Sequence, residues 1–220
     1  MTGLLLVLSQ PPTGREDEFN RWYDDEHAPA RLKVPGITTG RRYRASEDGE
    51  DRRGYVALYD LEAPSVLESP EYHAVVAGAS ATERDMLTSG TFDRRVYESV
   101  ETPESSRSPD LDVCGDYLLC VWWEPPPDGV EEFHRWYTEE HIPMLMEVPG
   151  WLRVRRYRLA DGGGLPFVAV HDLASEDVLD HPGHLKARST PWRHQVAAAQ
   201  RAYDRRLFRL WRRFDESDTR

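Results

Sequence analysis

Lysine is nearly absent from this chain of 220 residues, Lys33 and Lys186 being the only two. Cysteine is equally scarce. Cys114 and Cys120 fit neither a C-x-x-C redox motif nor a zinc knuckle, so they read as a reduced, partly buried pair. No apolar run approaches membrane-spanning length. The longest early run, Leu4 to Leu8, is strand-sized, with no basic segment before it and no cleavage pattern after it, so the expectation is a cytoplasmic chain with no membrane partner. Positive charge is in deficit as well: the formal net charge of -11 repels phosphate backbones and argues against a nucleic-acid partner. What the chain does have is large side chains. Seven Trp, ten Tyr and six Phe within 39% apolar content supply enough for one large or two modest cores.

The sequence repeats itself. Residues 18–29, EFNRWYDDEHAP, match residues 132–143, EFHRWYTEEHIP, and the match continues through Val34-Pro35-Gly36 against Val148-Pro149-Gly150. With Arg41-Arg42-Tyr43-Arg44 against Arg155-Arg156-Tyr157-Arg158, 15 of the 27 positions from Glu18 to Arg44 are identical, far above coincidence, and a repeat is sought before any fold is assigned. Later segments also pair: residues 56–61, VALYDL, with 168–173, VAVHDL, and residues 93–97, DRRVY, with 204–208, DRRLF.

Each copy reads strand, helix, strand, strand, helix, strand. Leu4 to Ser9 and Tyr117 to Trp123 are apolar runs closed by prolines. Phe19, Trp22, Tyr23, Glu26, His27 and Ala30 recur at helical spacing and form a largely aromatic stripe. Turns fall at 47–53 and 160–165, second helices begin after Ser69-Pro70 and around His184, and the last strands are Thr91 to Val100 and Tyr203 to Phe214. The polar, Pro/Ser-rich stretch at 102–113 reads as a linker between modules 1–101 and 114–220. A sheet with helices on one face leaves the other face open until a second sheet covers it, and a second copy in the same chain supplies that cover.

The motif W-Y-x-x-E-H-x-P, followed by V-P-G and R-R-Y-R, resembles the EthD family of the dimeric α+β barrel superfamily. The resemblance implies an α+β fold of two ferredoxin-like βαββαβ modules forming a pseudo-dimeric barrel within one chain, as a monomer or a further homodimer. It also implies a small organic ligand, often aromatic or lactone-like, between sheet and first helix. The superfamily's activities include cofactor-independent monooxygenases, cyclases, isomerases, decarboxylating or dehydrating enzymes and some haem-binding proteins.

The residues themselves point to proton chemistry. Pro29 lacks a backbone N–H and crowds the carbonyl four residues earlier, so His27 is expected in the last helical turn, where the helix dipole favours the imidazolium. His141 is its counterpart. On the face of His27 lie Tyr23, Asp24, Ala30 and Arg31; on that of His141 lie Tyr137, Thr138, Met144 and Leu145, so the first copy is the better expectation for polar chemistry. Strand alternation puts Arg41 with Tyr43, and Arg155 with Tyr157, on one face, available to an anionic ligand if that face is inward. His171 stands where the first copy has Tyr59, which makes it a further proton carrier. The remaining histidines lack metal-ligand spacing.

The expected function is therefore a cofactor-independent enzyme transferring protons on a small aromatic or enolisable metabolite. His27 or His141 serves as acid or base, Tyr23 or Tyr137 orients the ligand, and Arg41 or Arg155 stabilises developing negative charge. Asp24, Tyr43, Tyr157 and His171 complete the ligand contacts. No cofactor is expected. The alternatives are a non-catalytic barrel holding a metabolite or haem, and a structural protein without a pocket.

Overall fold

The computed structural model describes residues 2–46, 54–100 and 113–214. The first half contains β1 (Gly3–Gln10), α1 (residues 16–32), β2 (Ile37–Ala45), β3 (Tyr55–Leu61), α2 (Pro70–Ala77), α3 (Ala81–Ser89) and β4 (Thr91–Ser99). The second repeats that order with β5 (Tyr117–Glu124), α4 (residues 130–146), β6 (Trp151–Gly162), β7 (Phe167–Leu173), α5 (Pro182–Ala187), α6 (Pro191–Ala199) and β8 (Ala202–Phe214). The expected first turn at 47–53 and all of the linker but Val113 lie outside the described residues.

The strands follow the order β1-β3-β2-β8-β5-β7-β6-β4, which closes into an eight-stranded barrel, so the chain is an α+β protein. Within each repeat the sheet order is fourth, first, third, second strand. The chain forms two compact units. Unit 1 comprises Met1–Ser99, Tyr157–Gly164 and the chain from Phe208, and unit 2 comprises Val100–Arg156 and Leu165–Leu207. In unit 1, β1 pairs antiparallel with β3 and β4, β2 pairs with β3, and segments of β8 and β6 add to β2 and β4. In unit 2, β5 pairs antiparallel with β7.

Each unit has its own core, and helix aromatics dominate both. Leu5, Ala57 and Tyr59 meet Phe19, Trp22 and Tyr23 in unit 1, while Leu119, Val121 and Trp123 meet Phe133, Trp136 and Tyr137 in unit 2. Burying one such side chain is worth roughly 1.5–3 kcal/mol. The repeated V-P-G has a backbone cause. Gly36 and Gly150 sit at φ 91° and 85°, and a Cβ there would come within 2.6 Å of Val66 or 2.7 Å of Val178, so the turn into the second strand of each repeat requires glycine.

One expectation is corrected: His27 does not end a helix. α1 consists of Glu16–Trp22, a π-helical turn Tyr23–His27 and a last segment Ala28–Leu32, and α4 repeats this with Val130–Trp136, Tyr137–His141 and Ile142–Met146. The amides of Ala28 and Ile142 bond to the carbonyls of Tyr23 and Tyr137, five residues back. The wider turn makes room for Pro29 and Pro143, which would clash with a carbonyl four residues earlier in an unbroken α-helix. Prolines also start α2, α5 and α6, where a missing N–H costs nothing.

Candidate functional site

In unit 1 the π-turn points His27 inward against two aromatic rings. Its centroid lies 4.8 Å from Trp22 and 4.7 Å from Tyr23. The Trp22 contact, five residues away, exists because the turn is wider than an α-turn. His27 Nδ1 donates to Glu83 Oε1 at 3.2 Å, and Arg31 Nη2 donates to the same oxygen at 2.8 Å. Burial lowers the proton affinity of His27 more than its bond to Glu83 raises it, so the ring is neutral. Burial also opposes ionisation of Glu83, but His27 and Arg31 outweigh it and hold the carboxyl below its ordinary range.

Asp24, expected among the ligand contacts, is bonded within the protein instead. It accepts from Arg42 through Oδ1 and from Trp211 Nε1 through Oδ2 at 3.0 Å. The Arg42 guanidinium lies over Tyr23 at 4.0 Å and Tyr55 at 4.8 Å, and donates to Asn20 Oδ1 at 2.9 Å. Arg42, not Arg41, therefore faces α1. Arg41 donates to Asp60, and Arg155 lies 3.6 Å from Asp172, a carboxylate it shares with Arg153. These repeated arginines thus already face repeated carboxylates. Tyr43 and Tyr157 are both buried. The Tyr23 and Tyr59 hydroxyls are buried without a hydrogen-bond partner among the described residues, and burial raises both above the usual phenol range.

Unit 2 differs. A cavity of about 30 Å³ lies beside His141, above the roughly 10–15 Å³ that one water requires. Its deep wall is formed by Trp123, Tyr137, His141, Trp151, His171 and His184. Arg188 and Tyr203, both exposed, and the half-buried Arg193 and Arg205 border it as well. The His141 ring stacks on Trp136 at 4.4 Å and 24°. Burial, then the charge of Arg193, lowers its pKa to about 3, and its Nδ1 has no hydrogen-bond partner. His171 is 2% exposed, packs edge-on to Trp151 at 5.3 Å, and has no partner at either ring nitrogen. Burial, then proximity to His141 and His184, holds it well below the ordinary histidine range. His184 donates Nδ1–H to the Leu179 carbonyl at 2.6 Å, which leaves Nε2 as an acceptor in the neutral ring. Tyr137 accepts from Trp123 Nε1 at 2.9 Å, so its own hydroxyl proton can be directed elsewhere.

The structure thus brings His141, Tyr137 and His171 together around one cavity, and separates Arg155 and Tyr157 from its lining. Glu83 and Arg193 were not singled out from the sequence, and Arg42 and His184 were named there without a place in a site. Glu83 and Arg193 follow helix-capping Ser80 and Thr190 by three residues, a signal that places them in a first turn without naming what they face. Among the described residues no group of three or more His, Cys, Asp and Glu is arranged to hold a metal ion.

No family model matches the chain, and no curated protein matches it. Solved structures do. An anthrone oxidase-like protein aligns with TM-score 0.68 and 11% identity over 99% of this chain and 94% of its own. A candidate monooxygenase from Fusobacterium nucleatum aligns at 0.62 and 9% over 98% and 95%. A chlorite dismutase from Candidatus Nitrospira defluvii, in complex with imidazole, aligns at 0.62 and 10% over 96% and 91%. The fold is that of the dimeric α+β barrel proteins. At such identities the likeness to these barrels shows the fold alone. No helix among the described residues is long and apolar enough to cross a membrane.

Proposed function

We propose that this α+β barrel is a cofactor-independent enzyme that transfers a proton on a small aromatic or enolisable metabolite, and that its working site is the unit 2 cavity. Isomerase, cyclase, decarboxylase and monooxygenase types share this step, the last with dioxygen as co-substrate. The observation that carries the reading is His171, buried beside the cavity with both ring nitrogens unpartnered. A buried polar group without a partner costs free energy, and a bound ligand removes that cost. His171 or His141 takes the proton, Tyr137 donates a hydrogen bond to the ligand oxygen, and the nearby guanidiniums stabilise the negative charge left behind. The depressed proton affinities keep the rings neutral and ready to accept. A ligand that becomes anionic raises them again where the base must act.

The likeness to an anthrone oxidase-like protein and a candidate monooxygenase supports the oxygenase branch at the level of fold. In the same reading the chain is an EthD-like tandem of ferredoxin-like modules, 1–101 and 114–220, forming a cytoplasmic pseudo-dimer. A second reading, a barrel that binds a metabolite without catalysis, draws on the same depressed histidines, since weak bases also serve as hydrogen-bond acceptors. A panel of enolisable ketones and phenols separates the two, assayed for deuterium uptake from D₂O and for oxygen consumption. Turnover is expected to fall by about 10²–10⁴-fold in His171→Phe and His141→Phe, the usual worth of a general base. Binding with no exchange or oxygen uptake on any ligand would establish the second reading. Folded His variants with undiminished turnover would overturn the first.

A further inference from the structure

The two histidine neighbourhoods differ in charge balance: unit 1 contains a closed carboxylate–guanidinium pair, and the unit 2 cavity is lined by guanidiniums with no carboxylate. Ser80 caps α3 by accepting from the Glu83 amide at 3.0 Å, and Thr190 caps α6 by accepting from the Arg193 amide at 3.1 Å. Counted from these caps, Glu83 and Arg193 occupy the same position in the two repeats. Glu83 is 3% exposed and meets His27 and Arg31. Arg193 borders the cavity beside His141, and the position matching Arg31 is Leu145, which is apolar and buried. Unit 1 therefore holds its own carboxylate between a histidine and an arginine. Unit 2 has a guanidinium in that place and no carboxylate lining the cavity.

Arg193 is half-buried over the Trp123 ring at 5.4 Å, and burial lowers its proton affinity. Neither Arg193 nor Arg188 forms an ion pair among the described residues, although acidic side chains outnumber basic ones, 39 against 28. A partly buried cation without a counter-charge is unfavourable unless a ligand supplies one. Trp123, Trp151 and Tyr137 wall the cavity with ring surface suited to a flat, conjugated ligand.

We infer that the unit 2 cavity takes a small conjugated organic monoanion, whose oxygen charge is met by Arg193 and Arg188 and whose ring packs between Trp123 and Trp151. In unit 1 the Glu83 carboxylate is the built-in counterpart of that anion. The inference rests on the unit 2 cavity being the working site, and it adds the charge of the substrate.

Calorimetry on the full chain tests it, with benzoate as probe and benzamide as its neutral isostere. Benzoate is expected to bind at least about tenfold more tightly than benzamide, the scale of one charge-assisted hydrogen bond. Arg188→Gln/Arg193→Gln should remove that preference, Arg193→Lys should keep most of it, and Arg94→Gln/Arg158→Gln, an equal loss of charge within unit 1, should leave it unchanged. Thermal melts establish that each variant is folded. Equal binding of benzoate and benzamide, retained preference in the double glutamine variant, or no benzoate binding at millimolar concentration would each overturn the inference. Loss of anion preference with His171 still needed for turnover removes the substrate class alone. Anion preference with turnover indifferent to His171 removes the reaction alone.

Discussion

Arg42 and Asp24 form a buried ion pair whose partners lie on different elements, and this pair shows how much a single residue can matter here. Arg42 is 1% exposed, enclosed by Tyr23 and Tyr55 and bonded to Asp24 and Asn20. Removing one partner of such a pair leaves an uncompensated buried charge and costs about 3–5 kcal/mol. Arg42→Ala should lose about that much stability in urea unfolding, and Arg42→Met/Asp24→Asn should recover part of it. A single variant within 1 kcal/mol of the parent would count against this account. His141 gives a pH prediction. Its folded pKa, about 3, lies below the unfolded value of roughly 6.5, so its contribution is complete above 6.5 and is lost as pH falls toward 3. Between pH 6.5 and 5 this one residue should cost about 1.6 kcal/mol, a loss absent in His141→Phe. Nitrogen NMR should find its ring still neutral at pH 5. The histidines were legible in the sequence because they repeat. Glu83 was not, because its role depends on α3 packing against α1 across 56 residues of chain. Nor did strand alternation decide between Arg41 and Arg42, since it separates two faces without saying which one meets a helix.

At the scale of elements, the strand and helix order was readable from apolar runs, prolines and repeated turns. The path of α1 through Pro29 was not. A proline is an ordinary sign of a helix end, and the sequence does not show the extra residue that a π-turn accommodates. That turn sets Trp22 against His27, and Trp136 against His141, five residues apart. The split of the second helical region by Ser80 was also unseen, because the first copy has no proline there to mark it. The glycine of V-P-G yields a third prediction. Gly150→Ala would place a Cβ on Val178 at a positive φ, and should cost about 1–3 kcal/mol in unfolding free energy. Gly163→Ala, with nothing within 4 Å of its added Cβ, serves as the control.

At the scale of the whole chain, the two units do not divide where the linker does. Unit 1 takes Tyr157–Gly164 and the chain from Phe208, which pair with β4 and β2. A fragment ending at Val100 lacks both segments and exposes two strand edges, a template for pairing with another chain. Sedimentation of that fragment should show dimers or larger species; a folded, monodisperse monomer would contradict the pairing. The repeated segments were plain in the sequence, but the assignment of these strand ends to unit 1 was not, since it depends on how far β6 and β8 extend. The carboxylate of Glu83 and the guanidinium of Arg193 have a consequence for counting. Two identical subunits related by a two-fold axis would have to carry the same group at this position in both. Two copies in one polypeptide need not, so this chain should saturate at one ligand per molecule, with a hyperbolic isotherm and no second site to make binding cooperative.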